Sequence, residues 1–127
     1  MRAPLGLATL VAVVGMSTAC APGGGDPQPS ASFTPVAVRL MDFMLAPTDL
    51  TVEGPSVEFA VANDGPTPHN FSIRDADGEI VLGTTDLRPG ASTTLSGELE
   101  PGTYDTLCAL PGHESLGMRG TLTVTGP

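Results

Sequence analysis

The chain has 127 residues and a formal net charge of −9, because 14 acidic residues face five arginines and no lysine. This length allows one domain at most. The strong acidity argues against electrostatic binding to nucleic acid or to an anionic membrane surface. It fits a well-solvated domain that could meet a basic partner, but it names none.

Residues 1–20 have the layout of a signal peptide. Arg2 precedes an apolar run that ends at Met16, and small residues then lead to Cys20. A run of about 15 apolar or small residues is short for a membrane span. The end of the run resembles a bacterial lipoprotein signal, which predicts a lipid on Cys20 and an anchor outside the cytoplasmic membrane. Ordinary cleavage after Ala21 also suits the small residues, and it would give a periplasmic or secreted protein.

Residues 21–32 are predicted to form a flexible tether, because Gly, Pro and Ser dominate them and no apolar period is present. Residues 33–127 then form the folded domain, which is long enough to bury a small core. If Cys20 is lipidated or removed, Cys108 has no disulfide partner in an oxidising compartment. Cys108 is then a free thiol, an intermolecular bridge or a metal ligand.

Within the domain, apolar residues alternate with period two, and no stretch keeps a helical period. The alternating stretches are bounded by Gly, Pro and Asp and lie at residues 35–43, 55–64, 69–73, 79–82, 92–100, 102–108 and 120–126. Seven or eight short strands with turn signals at about 8–12-residue spacing predict an all-β fold, an antiparallel β-sandwich.

Strand parity directs two metal-ligating residue types to the interior. Phe71 and Ile73 are expected to face the core, and His69 shares their parity. Cys108 shares a face with Thr106 in the same way and is expected to point inward at the end of its strand. A buried site at one pole of a sandwich needs such residues at strand ends.

Four residues form a candidate ligand set: His69, Cys108, His113 and Met118. The last three are spaced Cys-x4-His-x4-Met, and Pro111–Gly112 provides a turn that lets one loop present them. Thiolate and thioether suit Cu(I), imidazole suits both oxidation states, and two His, one Cys and a long axial Met favour electron transfer. Each residue alone has an ordinary interpretation, such as a buried Cys or a core Met. Because both histidines and the only cysteine of the domain belong to one set, the sequence predicts one mononuclear copper site.

At these residues the sequence resembles the cupredoxins, the small blue copper proteins related to plastocyanin, azurin, pseudoazurin and amicyanin. The matching stretches are PHNF at residues 68–71, PGTYDTLCALPGH at 101–113 and GMRGTLTV at 117–124. The resemblance implies a Greek-key β-sandwich with a type 1 copper ion, whose equatorial ligands are His69, Cys108 and His113. It also implies that Met118 is the weak axial ligand and that His113 lies near the surface as the exit for the electron.

The resemblance also implies a role for Asn70. Its backbone N–H is expected to bond to the thiolate, and its side chain is expected to tie the ligand loops together. Ala109 follows Cys108 and has no side-chain hydroxyl that could form a hydrogen bond with Asn70. The site therefore has one hydrogen bond fewer, which is expected to alter the redox potential. Leu107 and Thr106 stand where relatives often carry an aromatic residue.

The sequence therefore predicts a one-electron transfer protein that works outside the cytoplasm and exchanges electrons with a donor and an acceptor redox protein. Leu110, Leu116 and Gly117 are expected to surround His113 at an apolar docking rim. We expect a monomer with no nucleic-acid partner and with membrane association only through a lipid on Cys20. We expect no enzymatic activity, because no spare histidine remains to build a catalytic centre.

Two other function classes stay open. The first is a copper carrier that hands Cu(I) to another exported protein, for which Met41 and Met44 could form a secondary soft site, although their pattern favours the core. The second is a metal-free interaction module, which failure to bind copper would support.

Overall fold

The structure is a computed structural model that describes residues 34–127, and in this range it contains nine β-strands and no helix. In chain order the strands are β1 (Val36–Met41), β2 (Met44–Ala46), β3 (Asp49–Glu53), β4 (Ser56–Asn63), β5 (Ser72–Arg74), β6 (Ile80–Gly83), β7 (Ser92–Glu98), β8 (Gly102–Leu107) and β9 (Arg119–Thr125). The predicted signal peptide and tether lie outside the described residues. Within them, no helix offers the length and hydrophobicity that a membrane crossing requires.

The strands form two sheets, ordered β2-β1-β4-β7 and β3-β9-β8-β5-β6, which confirms the predicted all-β sandwich. Both sheets are mixed. The pairs β1–β4 and β3–β9 are parallel, and the other strand pairs in the described chain are antiparallel. Alternating apolar residues indicate which face of a strand is buried but not the direction of its neighbour, so the two parallel pairs could not be predicted from periodicity. The short strands β2 and β3 were not predicted either.

One hydrophobic core is built from both sheets by the alternating positions that the sequence indicates. Val57, Phe59 and Val61 of β4 are buried, as the period of two requires. The ring of Phe59 packs on the ring of Phe71, with centroids 5.5 Å apart. Each such side chain contributes about 1.5–3 kcal/mol when it is fully buried, so the core is a rigid base for residues at the strand ends.

The register brings several strand ends together at one end of the sandwich. Leu40 near the end of β1 is opposite Asn63 at the end of β4. Ser72 at the start of β5 is opposite Leu107 at the end of β8, and Leu107 is also opposite Arg119 at the start of β9. The segments that leave these strands carry all four candidate ligands.

Candidate metal centre

His69 lies between β4 and β5 and is completely buried. Its backbone N–H donates to the carbonyl oxygen of Leu87 at 3.1 Å, and the N–H of Leu87 donates to the carbonyl oxygen of His69 at 2.7 Å. This isolated bridge holds the backbone of His69 as a strand pair does. The inward orientation predicted from strand parity is confirmed.

Cys108 and His113 are presented by the loop between β8 and β9. Cys108 is buried directly after β8, and its N–H donates to the carbonyl oxygen of Met118 at 3.0 Å. The N–H of Met118 in turn donates to the carbonyl oxygen of His113 at 3.1 Å. The turn before His113 needs Gly112, whose φ of 83° is in the left-handed region that favours glycine. The loop is therefore closed by its own backbone hydrogen bonds.

The side chains of His69, Cys108 and His113 converge at this end of the sandwich. Nδ1 of His69 is 3.1 Å from Nδ1 of His113, and Sγ of Cys108 is 3.6 Å from the same nitrogen. One ligand atom from each residue lies within 4.8 Å of the others, so the group could hold a metal ion. Two imidazole nitrogens and one thiol sulfur form a borderline-to-soft donor set, which suits copper.

Met118 is also completely buried, and its backbone bonds place it beside Cys108 and His113. The structure therefore brings all four candidate residues to one end of the sandwich. The assignment of the Met118 thioether as the axial ligand stays a prediction.

Asn70 ties the two ligand-bearing segments together, as expected. Its backbone N–H donates to Sγ of Cys108 at 3.4 Å, and its side-chain oxygen accepts the N–H of Ala109 at 2.7 Å. Its side-chain NH₂ donates to a carboxylate oxygen of Asp86 at 2.9 Å. The N–H of Asn70 therefore helps to orient the sulfur that a metal would bind.

The ring of His69 has a partner that the sequence analysis did not identify. Its Nε2 lies 2.6 Å from Oδ1 of Asp42, in the hairpin between β1 and β2. The hydroxyl of Thr67 donates to the same oxygen at 2.7 Å. This hydrogen bond from Thr67 is the main cause that lowers the pKa of Asp42, and the hydrogen bond with His69 acts in the same direction, while partial burial opposes both. Asp42 is 27 residues from His69 in the chain, and no local pattern indicates their contact.

His113 lies closer to the surface and is half-buried. The ring of Phe43 meets it edge-on with centroids 5.2 Å apart and meets the ring of His69 at 6.3 Å. Leu110 is partly buried, and Leu116 is 62% exposed. We call Phe43, Leu110 and Leu116 the apolar rim. Leu110 and Leu116 were predicted from the sequence, and Phe43 was not.

The expectation that Met44 belongs to the core is wrong, because Met44 is 48% exposed on an edge strand, opposite Met41.

Arg74 of β5 forms ion pairs with the ligand loop. It donates to both carboxylate oxygens of Glu114, at 2.7 and 3.2 Å, and to Asp105 at 3.1 Å. The hydrogen bonding of Arg74 to Glu114 lowers the pKa of Glu114 and ties the ligand loop to β5.

Residues 7–124 match the family model of the cupredoxin-like domain. The chain belongs to the cupredoxin family. Cupredoxins bind one type 1 copper ion, and the donors of His69, Cys108 and His113 suit that cofactor. None of the curated protein sequences matches this cupredoxin significantly.

Solved structures of other cupredoxins have a similar fold. Auracyanin from the photosynthetic bacterium Roseiflexus castenholzii is 24% identical with a TM-score of 0.65, and the match covers 72% of this chain and 97% of that one. Auracyanin B is 26% identical with a TM-score of 0.65, over 72% of this chain and 91% of that one. An azurin from Methylomonas sp. strain J is 16% identical with a TM-score of 0.63, over 74% of this chain and 99% of that one.

Proposed function

We propose that this cupredoxin transfers single electrons between extracytoplasmic redox proteins through one copper ion held by His69, Cys108, His113 and Met118. The observation that carries the proposal is the convergence of three ligand atoms within 4.8 Å of one another. Bound copper supplies the chemistry, because it alternates between Cu(I) and Cu(II). Members of this family are typically electron carriers rather than enzymes, and we propose no catalytic activity for this chain.

The protein's part is to keep the ligands in place during the change of charge. His69 is held by two backbone hydrogen bonds to Leu87 and by a ring contact to Asp42. Cys108 is held by its bond to Met118 and receives the N–H of Asn70. Ligands fixed in this way need little rearrangement when an electron arrives or leaves, and preorganised groups of this kind favour fast transfer.

The half-buried His113 is the proposed contact point for the partners. Of the ligand residues, His69 and Cys108 are fully buried, so the imidazole of His113 offers the shorter route to the surface. The apolar rim around it would exclude water from a docked complex. The net charge of −9 would speed the approach of a basic partner and make the rate fall with ionic strength.

A copper carrier is the second candidate, and the exposed Met44 is the observation that favours it, since a thioether is a soft Cu(I) ligand. Against it stands the complete burial of His69, Cys108 and Met118. A buried site releases its ion slowly, whereas a carrier must release it readily.

We propose that the domain works outside the cytoplasm as a monomer, attached by a lipid on Cys20 or released by cleavage after Ala21. Proteins of this family typically act there. Mass spectrometry of the mature N-terminus separates the two cases. A diacylglyceryl group on Cys20 supports the anchor, and a chain that begins at Pro22 supports release.

Absorption spectroscopy of the purified protein with Cu(II) tests the copper site. We expect an intense visible band that bleaches with ascorbate and returns with an oxidant. A colourless protein that binds no copper would refute the proposal in favour of an interaction module.

Electron transfer and copper delivery are then separated with the same copper-loaded protein. Reversible voltammetry together with slow loss of Cu(I) to a chelator supports electron transfer. Rapid loss of Cu(I) to the chelator supports the carrier.

A further inference from the structure

We propose that Asp42 is a positioning residue of the copper site: its carboxylate accepts the Nε2 hydrogen of His69, leaves Nδ1 free for copper, and lowers the reduction potential of the bound ion. This inference rests on the proposed copper site. It concerns the hairpin between β1 and β2, which carries none of the four proposed ligands.

The contact with Asp42 decides which nitrogen of the His69 ring carries the proton. An ionised carboxylate can only accept hydrogen bonds, so Nε2, which lies 2.6 Å from Oδ1 of Asp42, must carry a hydrogen. In a neutral imidazole the other nitrogen, Nδ1, is then unprotonated. Nδ1 of His69 lies 3.1 Å from Nδ1 of His113, inside the cluster of ligand atoms. The carboxylate therefore selects the tautomer that can bind a metal before the metal arrives.

The carboxylate of Asp42 is itself held in place by the segment before His69. Thr67 donates to the same Oδ1 at 2.7 Å. Gly65 leaves room for the bond, because a Cβ at this position would lie 2.9 Å from Oδ1 of Asp42 and 3.1 Å from Nε2 of His69. Asn63 orders this segment, since its side chain donates to the carbonyl oxygen of Thr67 and accepts the N–H of Gly65. Thr67 and Gly65 therefore both fix the position of the Asp42 carboxylate against the ring of His69.

The charge of Asp42 also acts electrostatically on the ring of His69. The side chain of Asp42 is 25% exposed and that of His69 is fully buried, so water screens their interaction only in part. A negative charge on the far side of the ring makes Nδ1 a more basic ligand, and a more basic ligand favours Cu(II) over Cu(I). Among the described residues, no carboxylate is hydrogen-bonded to the ring of His113, and Asp42 interacts with that ring only through its charge, so the hydrogen-bonded effect acts through His69.

The test compares Asp42→Asn with Glu53→Gln in the whole protein. The amide of Asp42→Asn can donate to Nε2 and so permits the tautomer with a proton on Nδ1. Glu53→Gln also removes one negative charge, but it does so at an exposed position at the end of β3 opposite Thr125, away from the ligand-bearing strand ends. The first readout is the tautomer of His69 in the metal-free proteins, from the ¹⁵N chemical shifts of the ring. The second is the affinity of each variant for Cu(II) and for Cu(I), with the potential measured by voltammetry.

We expect the metal-free natural protein to carry its His69 proton on Nε2, and we expect Asp42→Asn to shift the ring towards the other tautomer. Losing a partner of a metal-bound histidine typically lowers metal affinity by about 10–100-fold. We expect Asp42→Asn to weaken Cu(II) binding about tenfold more than Cu(I) binding, which raises a one-electron potential by about 59 mV. Glu53→Gln is expected to leave the tautomer unchanged and to move the potential far less.

A second variant, Gly65→Ala, tests the hydrogen bond without changing any charge. Its methyl group would displace the carboxylate of Asp42 from the ring, so the potential should rise in the same direction by a smaller amount. Gly126→Ala is the matched control, because the nearest atom to its added Cβ is an ordinary contact with Pro101 at 3.9 Å.

The outcomes separate this inference from the proposed function. If the natural protein forms the coloured site but the tautomer and potential of Asp42→Asn match those of Glu53→Gln, the role of Asp42 is refuted and the copper site stands. If neither the natural protein nor any variant binds copper, the proposed function fails. The tautomer of His69 in the metal-free natural protein tests the role of Asp42 without any substitution. A proton on Nδ1 of His69 in that protein would overturn the inference.

Discussion

His69 and His113 place their Nδ1 atoms 3.1 Å apart, yet the protein holds them in different ways. His69 is fully buried, is bridged through its backbone to Leu87, and has its ring against Asp42. His113 is half-buried in a loop, and its ring meets Phe43 near the surface. We call the first the strand-held side of the site and the second the loop-held side.

The difference suggests a division of roles between the two sides. The strand-held side has few degrees of freedom and is suited to set the geometry and basicity of its ligand. The loop-held side combines surface access with limited freedom, because Arg74 ties Glu114, the neighbour of His113, to β5. Cys108 joins the two sides, since it begins the loop and also receives the N–H of Asn70.

The largest expected effect comes from removing the residue that joins both sides. Cys108→Ser should abolish the intense visible band of the copper-loaded protein, because that band arises from charge transfer between thiolate and copper. Absorption spectra at matched copper content provide the measurement. Met118→Leu is the companion variant and should keep a coloured site with an altered potential. An intact band in Cys108→Ser would show that the site is assigned wrongly.

Replacing each histidine by glycine tests the difference in access directly. Added imidazole should restore the visible band of His113→Gly, because the space it leaves opens towards the surface. His69→Gly should need an imidazole concentration at least about tenfold higher, since an opening that costs more than about 1.4 kcal/mol must precede entry to the buried space. Titration of both variants with imidazole provides the measurement. Equal rescue would mean that the two sides do not differ in access.

Asn63→Ala tests how strongly the strand-held side depends on its supporting loop. The side chain of Asn63 donates to the carbonyl oxygens of Thr67 and Leu87, both at 2.8 Å, and accepts the N–H of Gly65. Loss of these buried bonds should lower the free energy of unfolding of the metal-free protein by about 2–4 kcal/mol. Urea denaturation provides the measurement.

The control for Asn63→Ala is Thr94→Ala, at an exposed position on β7. It should change the free energy of unfolding by less than about 0.5 kcal/mol. Similar values for the two variants would mean that the loop before His69 is not the support that its hydrogen bonds indicate.

Arg74→Met should give the smallest effect, because its ion pairs on the loop-held side are partly exposed. We expect a loss of about 0.5–1 kcal/mol in the free energy of unfolding and faster amide hydrogen exchange in residues 110–117. Arg39→Met is the control, since Arg39 pairs with Asp64 at 2.6 Å with a side chain that is 67% exposed. If the amide hydrogens of residues 110–117 exchange at the same rate in both variants, the contact of Arg74 with Glu114 does not restrain the ligand loop.

The sequence predicted the strand-held and loop-held ligands more fully than it predicted the sheets around them. Seven strands follow from alternation, but β2 has only three residues, too few to show a period. β3 alternates, with Leu50 and Val52 buried, yet it was not identified. The parallel pairing of β3 with β9 joins segments about 70 residues apart, which no local pattern encodes.

The environment of the ligands was predicted only in part. Asn70 follows His69 directly, so the resemblance to cupredoxins pointed to it. Asp42 and Phe43 belong to a hairpin far from His69 in the chain, and their residue types are common in turns and cores. Their contacts with the two histidines appear only when the hairpin is placed over the end of the sandwich.

The sequence by itself determined the class of fold, the inward faces of β1 and β4 and the identity of the candidate copper ligands. It could do so because period-two alternation and the spacing from Cys108 to Met118 are local properties of the chain. Only the tertiary structure decided the strand order, the parallel pairing of β1 with β4 and of β3 with β9, and the contact of Asp42 with the His69 ring. These depend on segments that are distant in sequence and meet through packing, and such meetings leave no signal in the residues around each site.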